Sequence, residues 1–374
     1  MLPILPGATL GILGGGQLGR MFTMAARTMG YRVIVLDPDP ASPAGQMADL
    51  HVQADYTDHA ALRRMGQACA AVTTEFENIP AASLIELARV CRVSPGAAAV
   101  AIVQDRSHEK TWLREHAFAT APFAIVSAAS DLDAALALTG TPALLKVSRF
   151  GYDGKGQAKV SSVAEARAAF QAFGGQACVL EGFVQLECEV SVVLARADDG
   201  RCALFPLAEN QHVNGILDIS IVPARVADAL MQQACTMARE VAEQLAYVGV
   251  MAVEFFVANG QLLINEIAPR PHNSGHYTLD ACVTDQFEQQ VRVLAGLPLG
   301  DTRLLSPVAM VNILGERWQT HSPRWETLLA HPAIKLHLYG KAAARPGRKM
   351  GHFNVLDMDS AAALALAKQV RDAL

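Results

Sequence analysis

The 374-residue chain has no apolar run approaching the roughly 20 residues of a membrane-spanning helix, so no span is expected. No basic segment precedes its first apolar residues, which run into glycines instead, so no signal peptide is expected either. It has no C-x-x-C pair. Its seven cysteines (Cys69, Cys91, Cys178, Cys188, Cys202, Cys235, Cys282) are odd in number and scattered, which fits reduced thiols in the cytoplasm and not disulfides or a zinc site. Charge is scarce, at 18% of residues, and the net of −5 offers no basic surplus to draw a nucleic acid. Repeats and low-complexity tracts are missing. What is present is a 51% hydrophobic composition, enough to bury a large core, on a length that allows roughly two to three domains.

Residues 250–276, VMAVEFFVANGQLLINEIAPRPHNSGH, read as a β-hairpin about Asn259-Gly260. Each apolar run carries one acid, Glu254 in the first and Glu266 in the second. A carboxylate in a half-buried sheet is costly unless something positive sits on it, and facing strands let two acids share a hard cation. The faces depend on the turn. A strict two-residue turn pairs Glu254 with Asn265 and sends Glu266 to the opposite face. A three-residue loop, Ala258-Asn259-Gly260, puts both acids on one face, and that loop is the expectation. The segment after Glu266, stiffened by Pro269 and Pro271, is expected to present Arg270, His272, Asn273 and His276 beside the acids.

From the N-terminus, TLGILGGGQLG (9–19) is a strand running into glycines, followed by a helix from about residue 17 to 29 and a second strand, RVIVLD (32–37). Gly14-x-Gly16-x-x-Gly19 with Asp37 farther on is the dinucleotide pattern in a β–α–β setting. The same loop can hold another phosphate or simply pack tightly. AVTTEFENIP (71–80) is a third strand, and Glu75 and Asn78 at its end either line a ligand crevice or solvate the strand end and cap the next helix. A first domain boundary falls near residue 105. Residues 120–190 form a smaller α+β unit with Lys146 in the apolar strand 142–148. Gly151, Gly154 and Gly156 around Asp153 and Lys155 make a flexible cationic loop suited to covering phosphates, or an ordinary hairpin turn. Glu181 to Val184 breaks one strand, and Glu187 and Glu189 start the next. Residues 191–300 resume a larger sheet, with a lone His212 in a polar stretch and an amphipathic helix over 230–247. In the last part, Lys341, Arg345, Arg348 and Lys349 cluster about Pro346-Gly347 as an anion site or a solvated turn.

Together these parts resemble the ATP-grasp superfamily: a βαβ domain, a lysine strand, a glycine-rich phosphate loop, a Glu-x-x-Val hinge and two acids, the second in Asn265-Glu266. Within it, GILGGGQLGRM, TTEFENIP, GYDGKGQ, NEIAPRPHNSGH and YGK…RPGRKMGH, in that order, resemble the family of ATP-dependent carboxylases that act on 5-aminoimidazole ribonucleotide in purine synthesis. The resemblance covers essentially the whole chain. It implies an α/β and α+β ATP-grasp fold: a Rossmann-like pre-grasp domain (1–105), a small lid subdomain (106–190), a large subdomain with the metal site (191–300) and a small C-terminal domain (301–374).

It further implies the ligands. Arg106, Lys146, Gly151, Tyr152, Asp153, Gly154, Lys155, Gly156, Gln157, Glu181, Gly182, Phe183, Val184, Glu189, His212, Asn265 and Glu266 would bind ATP. Glu181 and the Val184 backbone would read the adenine edge, and Glu189 the ribose. Glu254 and Glu266 would hold magnesium. Gln17, Glu75, Asn78, Tyr152, Asp153, Arg270, His272, Asn273, Lys341 and Arg348 would line the ribonucleotide, with Lys341 and Arg348 on its phosphate. Asp153, Lys341, Arg270 and His272 would serve catalysis. The implied partners are small molecules (ATP, bicarbonate and 5-aminoimidazole ribonucleotide), with a homodimer expected from the family. A nicotinamide-dependent oxidoreductase built on Gly14–Gly19 leaves the phosphate loop, hinge and paired acids unexplained. A silent nucleotide-binding module is at odds with intact Lys146, Glu254 and Glu266. A different ATP-grasp ligase, such as biotin carboxylase, would lack the C-terminal signature.

Overall fold

A computed structural model describes residues 2–151, 154–319 and 322–374. The first sheet is parallel: β1 (Thr9–Leu13), β2 (Arg32–Leu36), β3 (Leu50–Val52), β4 (Ala71–Thr74) and β5 (Arg92–Val93), in the order β3-β2-β1-β4-β5. Its central strands are apolar on consecutive residues, as strands covered on both faces must be. The helix Gln17–Thr28 buries Leu18, Met21, Phe22 and Ala26, one stripe at helical spacing, in a cluster with Phe287, Val291 and Leu294 of the helix Gln286–Ala295. That packing aims the first turn of Gln17–Thr28 at the end of β4.

The second sheet, β6 (Phe123–Val126), β7 (Ala143–Val147), β8 (Gln157–Val160) and β9 (Cys178–Gly182), is antiparallel in the order β6-β9-β7-β8. The glycine loop joins β7 to β8. The third sheet has nine strands: β10 (Cys188–Arg196), β11 (Cys202–Leu204), β12 (Ala208–Val213), β13 (Ile216–Val222), β14 (Gly249–Ala258), β15 (Gln261–Ala268), β16 (Val308–Leu314), β17 (Ile334–Leu338) and β18 (Lys349–Leu356). Their order is β15-β14-β10-β12-β13-β16-β18-β17, with β11 beside β10. The C-terminal strands therefore continue the same sheet that carries the hairpin.

The hairpin turn differs from the expectation. Ala258 pairs Gln261, so the loop is the two residues Asn259 and Gly260, both left-handed at φ 51° and 67°. That pattern matches the right-handed twist of the flanking strands. The two acids still share a face, because a bulge intervenes: Phe255 pairs Ile264, but Glu254 pairs Glu266, and Asn265 is the extra residue. The expected outcome holds, and the expected cause was wrong.

Register places a polar row across one face of the large sheet. Glu266 lies opposite Glu254, which lies opposite Ser191; Ala208 faces Ser191, and Asn210, two residues on, faces Ser220. Ser220 faces Met310, and two residues beyond it Asn312 faces His352, which faces His337. Period-two alternation keeps all of these side chains on one side. On the opposite face β10 and β14 pack Val190, Val192, Leu194, Met251, Val253 and Phe255 against the helix Asp228–Gln244.

Candidate active site

The segment 269–276 lies over the polar row and anchors to it. Ser191 donates to Ser274 (Oγ–Oγ 2.7 Å), Asn210 donates to Ser191, and Ser220 donates to Asn210. This chain of buried hydroxyls and amides brings His272 down to the hairpin, its Nε2 2.9 Å from Glu254 Oε1. Burial alone would push the Glu254 carboxyl up. His272, His212 and Lys349 outweigh it and hold the group down to about 2, so Glu254 is ionised throughout the neutral range. Glu266 is met by Arg106, whose Nη2 is 2.6 Å from Oε2. The bulge residue Asn265 turns a buried Oδ1 that has no partner among the described residues. Two opposed carboxylates, with an unpartnered amide oxygen on the neighbouring residue, are oxygen donors of the kind magnesium takes. A tighter trio also exists: one ligand atom each from Glu189, His212 and Glu254 lie within 4.8 Å of one another. His212 Nδ1 is 3.0 Å from Glu189 Oε2.

The residues expected to meet the nucleotide include a buried charge cluster that the sequence shows only in part. Glu181 accepts from Lys146 at 3.0 Å and from Arg106 at 3.1 Å, with Lys110 Nζ at 3.8 Å. Burial opposes its charge, but Lys110, Lys146 and Arg106 together hold the carboxyl well below its ordinary range. The Glu181 carboxylate is thus committed to cations. Lys110 and Glu109 were missed. Both are buried on the helix Arg106–Glu115, and Glu109 accepts from the Ile267 amide at 2.5 Å, tying that helix to β15. The signal was available: Arg106, Glu109, Lys110 and Leu113 fall at i, i+3, i+4 and i+7, so the core-facing stripe of this helix is itself charged.

Across the site, the glycine loop folds toward the β12–β13 turn. A Cβ on Gly154 (φ 76°) would stand 2.8 Å from the Asn214 carbonyl oxygen, so no side chain fits between the two segments. Gly151, Lys155 and Gln157 are exposed on this loop. Tyr152 and Asp153 lie outside the described residues. At the hinge, Gly182 is buried beneath the Thr139 carbonyl, Val184 is half-buried, and Phe183 is exposed with Lys159 Nζ 4.3 Å from its ring centre.

The ribonucleotide-side candidates meet between the first sheet and the C-terminal strands. Glu75 accepts from the amides of Gly16 at 2.6 Å and Gly19 at 2.5 Å, and Asp37 accepts from Gly15 at 2.6 Å. The loop amides that a dinucleotide pyrophosphate would need are therefore engaged by the chain's own acids. Burial pushes Glu75 up to about 7, against the pull of the two amides and of Lys341. Lys341 donates to Gln17 and to the Lys349 carbonyl. Arg348, half-buried, donates to the Ala343 carbonyl at 2.7 Å. Asn78, three residues after Glu75 in the loop following β4, is half-buried. Arg270 is held by Glu77, Nε to Oε2 2.5 Å, a partner that the motif reading passed over. Asn273 exchanges amide hydrogen bonds with Asn312 at 3.0 and 2.7 Å. His276 is a correction: it does not sit beside the acids. It is fully buried, its ring 4.9 Å from that of His352, because the 273–275 turn carries it past the hairpin and under the C-terminal strands.

Known proteins resemble this chain along nearly its whole length. Residues 7–104 match the ribonucleotide synthetase preATP-grasp domain, 111–287 the ATP-grasp domain, and 308–366 the phosphoribosylaminoimidazole carboxylase C-terminal domain. The N5-carboxyaminoimidazole ribonucleotide synthase of Brucella melitensis is 46% identical over 93% of this chain and 96% of its own, and that of Bacillus subtilis 44% over 94% and 92%. The ADP complex of the Staphylococcus aureus N5-carboxyaminoimidazole synthetase superposes with a TM-score of 0.94 at 37% identity, covering 99% of both chains. An Aspergillus clavatus N5-carboxyaminoimidazole synthase in complex with ADP and 5-aminoimidazole ribonucleotide superposes at 0.90 and 31% identity, covering 98% and 99%. Family model, curated relatives and solved structures converge, and the chain belongs to the N5-carboxyaminoimidazole ribonucleotide synthase family of ATP-grasp ligases.

Proposed function

We propose that the two halves of this site divide the reaction of the family, the ATP-dependent carboxylation of the amine of 5-aminoimidazole ribonucleotide, between nucleotide chemistry at the hairpin and acceptor binding at the first sheet. ATP lies between the glycine loop and the hairpin. Arg106 and Lys146 face its phosphates, the backbone at 182–184 reads the adenine edge, since the Glu181 carboxylate is already engaged, and Glu189 with His212 meets the ribose. Glu254, Glu266 and Asn265 would hold magnesium, which when bound would supply charge neutralisation for phosphoryl transfer. Bicarbonate, a poor electrophile, is activated as carboxyphosphate, which releases carbon dioxide beside the substrate amine. The protein's task is positioning and charge neutralisation more than covalent chemistry.

On the acceptor side, Gln17, Glu75, Asn78, Arg270, His272 and Asn273 line the ribonucleotide, and Lys341 and Arg348 take its phosphate. Tyr152 and Asp153, which lie outside the described residues, belong to the acceptor side by resemblance, with Asp153 assigned to handle the amine proton. The domain limits near residues 105, 190 and 300, a homodimer and a cytoplasmic setting complete the reading; no helix among the described residues is long and apolar enough to cross a membrane. The observation that carries the proposal is the opposed pair Glu254–Glu266 across the hairpin. The test is ADP release in the presence of bicarbonate and magnesium. Release that depends on 5-aminoimidazole ribonucleotide is the expected result. Release indifferent to it, or none, would overturn the assignment of substrates.

A further inference from the structure

Behind His272 lies a buried assembly that the reaction does not account for. Gln286, fully buried at the start of the helix Gln286–Ala295, clamps the backbone of His272 from both sides. Its Oε1 accepts the His272 N–H at 2.9 Å, and its Nε2 donates to the His272 carbonyl at 2.8 Å. A backbone N–H can only donate and a carbonyl can only accept, so the amide orientation is fixed. The same Nε2 lies 3.0 Å from His276 Nδ1, which must therefore accept. His276 is then the neutral tautomer with its proton on Nε2. Burial, then His272, Lys349, His337 and Arg270 around it, all disfavour a second proton.

The Nε2–H of His276 has no partner among the described residues, and two further buried atoms share that condition: His352 Nε2 and Asn354 Oδ1. Asn354 is oriented by its own donations, to Asp280 at 2.7 Å and to the His276 carbonyl at 3.3 Å, so its Oδ1 is an acceptor. One orphaned donor and one orphaned acceptor, with a second imidazole nitrogen nearby, match the two to four partners of a buried water. Tyr339 and His337 close the far side: Tyr339 OH is 2.9 Å from His352 Nδ1, and the His337 and His352 rings stack 4.6 Å apart.

We propose that Gln286 and His276 are positioning residues that hold His272 against Glu254, and that the Gln286 amide fixes the His276 tautomer on which this hold depends. The inference rests on His272 being at the reacting site. Its physical content is that Gln286 has two hydrogens to give, and both go to the His272–His276 turn. Gly275, between them, has no room for a side chain: a Cβ there would stand 2.6 Å from Gln286 Oε1.

The first measurement needs no variant to be active. In 15N-histidine-labelled protein, the His276 ring, assigned by its loss in His276→Asn, is expected to show a protonated Nε2 and a bare Nδ1, unchanged from pH 6 to 8. A protonated Nδ1, or titration near the usual histidine midpoint, would overturn the proposal. The second measurement is kinetic. Gln286→Met keeps size and loses both donors; kcat at saturating ribonucleotide should fall about ten-fold or more while KM for ATP stays within about two-fold. Gln286→Glu, which keeps the acceptor for the His272 N–H, should recover part of the loss. Equal loss in both variants, or none, would overturn the positioning role. His272→Asn separates the layers: full activity there removes the premise about His272, while the tautomer result continues to stand or fall alone.

Discussion

The Gly14–Gly19 loop and the hairpin are each expected to meet a charged ligand, and they are prepared in opposite ways. In the Gly14–Gly19 loop the groups that could meet a ligand are backbone amides, and the chain sets its own carboxylates, Glu75 and Asp37, on them. At the hairpin the ligand-binding groups are carboxylates, and the chain sets its own cations, His272 on Glu254 and Arg106 on Glu266. In each region an internal group already occupies the position of the expected ligand. The difference lies in what is left over. Arg106 has a second partner in Glu181 besides Glu266, whereas Glu75 holds two amides of the Gly14–Gly19 loop at once. The cation at the hairpin has a second partner to keep, and the amides of the Gly14–Gly19 loop are already satisfied.

Glu266→Gln breaks the comparison most severely. It removes one of the two opposed charges without changing shape, and Arg106 still has Glu181 to pair with. Phosphoryl transfer should fall by about two orders of magnitude or more while the fold survives. Near-normal ADP release at ordinary magnesium would show that the acids are ornamental. Next in size is Arg348→Ala on the acceptor side. A charge-assisted contact to phosphate is worth about 1.5–3 kcal/mol, so the ribonucleotide KM should rise roughly ten- to hundred-fold, with the ATP KM nearly unchanged. Arg348→Lys should restore only part, because a point charge replaces a fork. A loss confined to ATP would place Arg348 in the wrong half.

Glu75 sharpens the contrast through pH. Its carboxyl is raised from 4.5 to about 7 by burial, so between those values the folded chain holds a proton that the unfolded chain releases. Stability therefore falls as pH rises through that window and levels off above it. Glu109 is raised to about 7 for the same reason and adds a slope of the same sign, so the difference between wild type and Glu75→Gln isolates Glu75. On the order of 2 kcal/mol of pH-dependent stability should vanish in the variant, read as urea midpoints from pH 5 to 8. Superimposable profiles would contradict the burial of this charge. The smallest expected effect is in the loop over ATP: hydrogen exchange at 150–157 should slow when ATP and magnesium are added and hardly change with ribonucleotide alone. Equal protection in all three states would leave the loop without a gating part.

The sequence made the parts legible and left their pairing hidden. Apolar periodicity and glycine spacing located β1, the helix after it, the lysine strand and the hairpin, since those signals are local. Glu254 and Glu266 stood out because each interrupts an apolar run. Ser191, Asn210, Ser220 and Asn312 did not, because one polar residue per strand looks incidental until register aligns them across the sheet. Lys110 and Glu109 were overlooked because charge on a helix is ordinarily read as its solvent side. His276 was misplaced because the reading ran along the chain, and the 273–275 turn takes it off that line. The turn at Asn259-Gly260 failed as an argument for a subtler reason: the strands were assumed regular, and one was not.

That irregularity makes the hairpin separable into two independent reading frames. On the turn side of the bulge, residues 255–258 run against 261–264; on the site side, Glu254 stands against Glu266. Asn265 belongs to neither frame. Excising it would restore an unbroken ladder with the same turn and the same two acids face to face. What would go is one amide oxygen and the local twist that re-aims it. The extra residue is thus a splice, carried at no cost to the alignment of the acids, and a chain shortened by that single residue would be a scaffold with its carboxylates in place and its third oxygen erased.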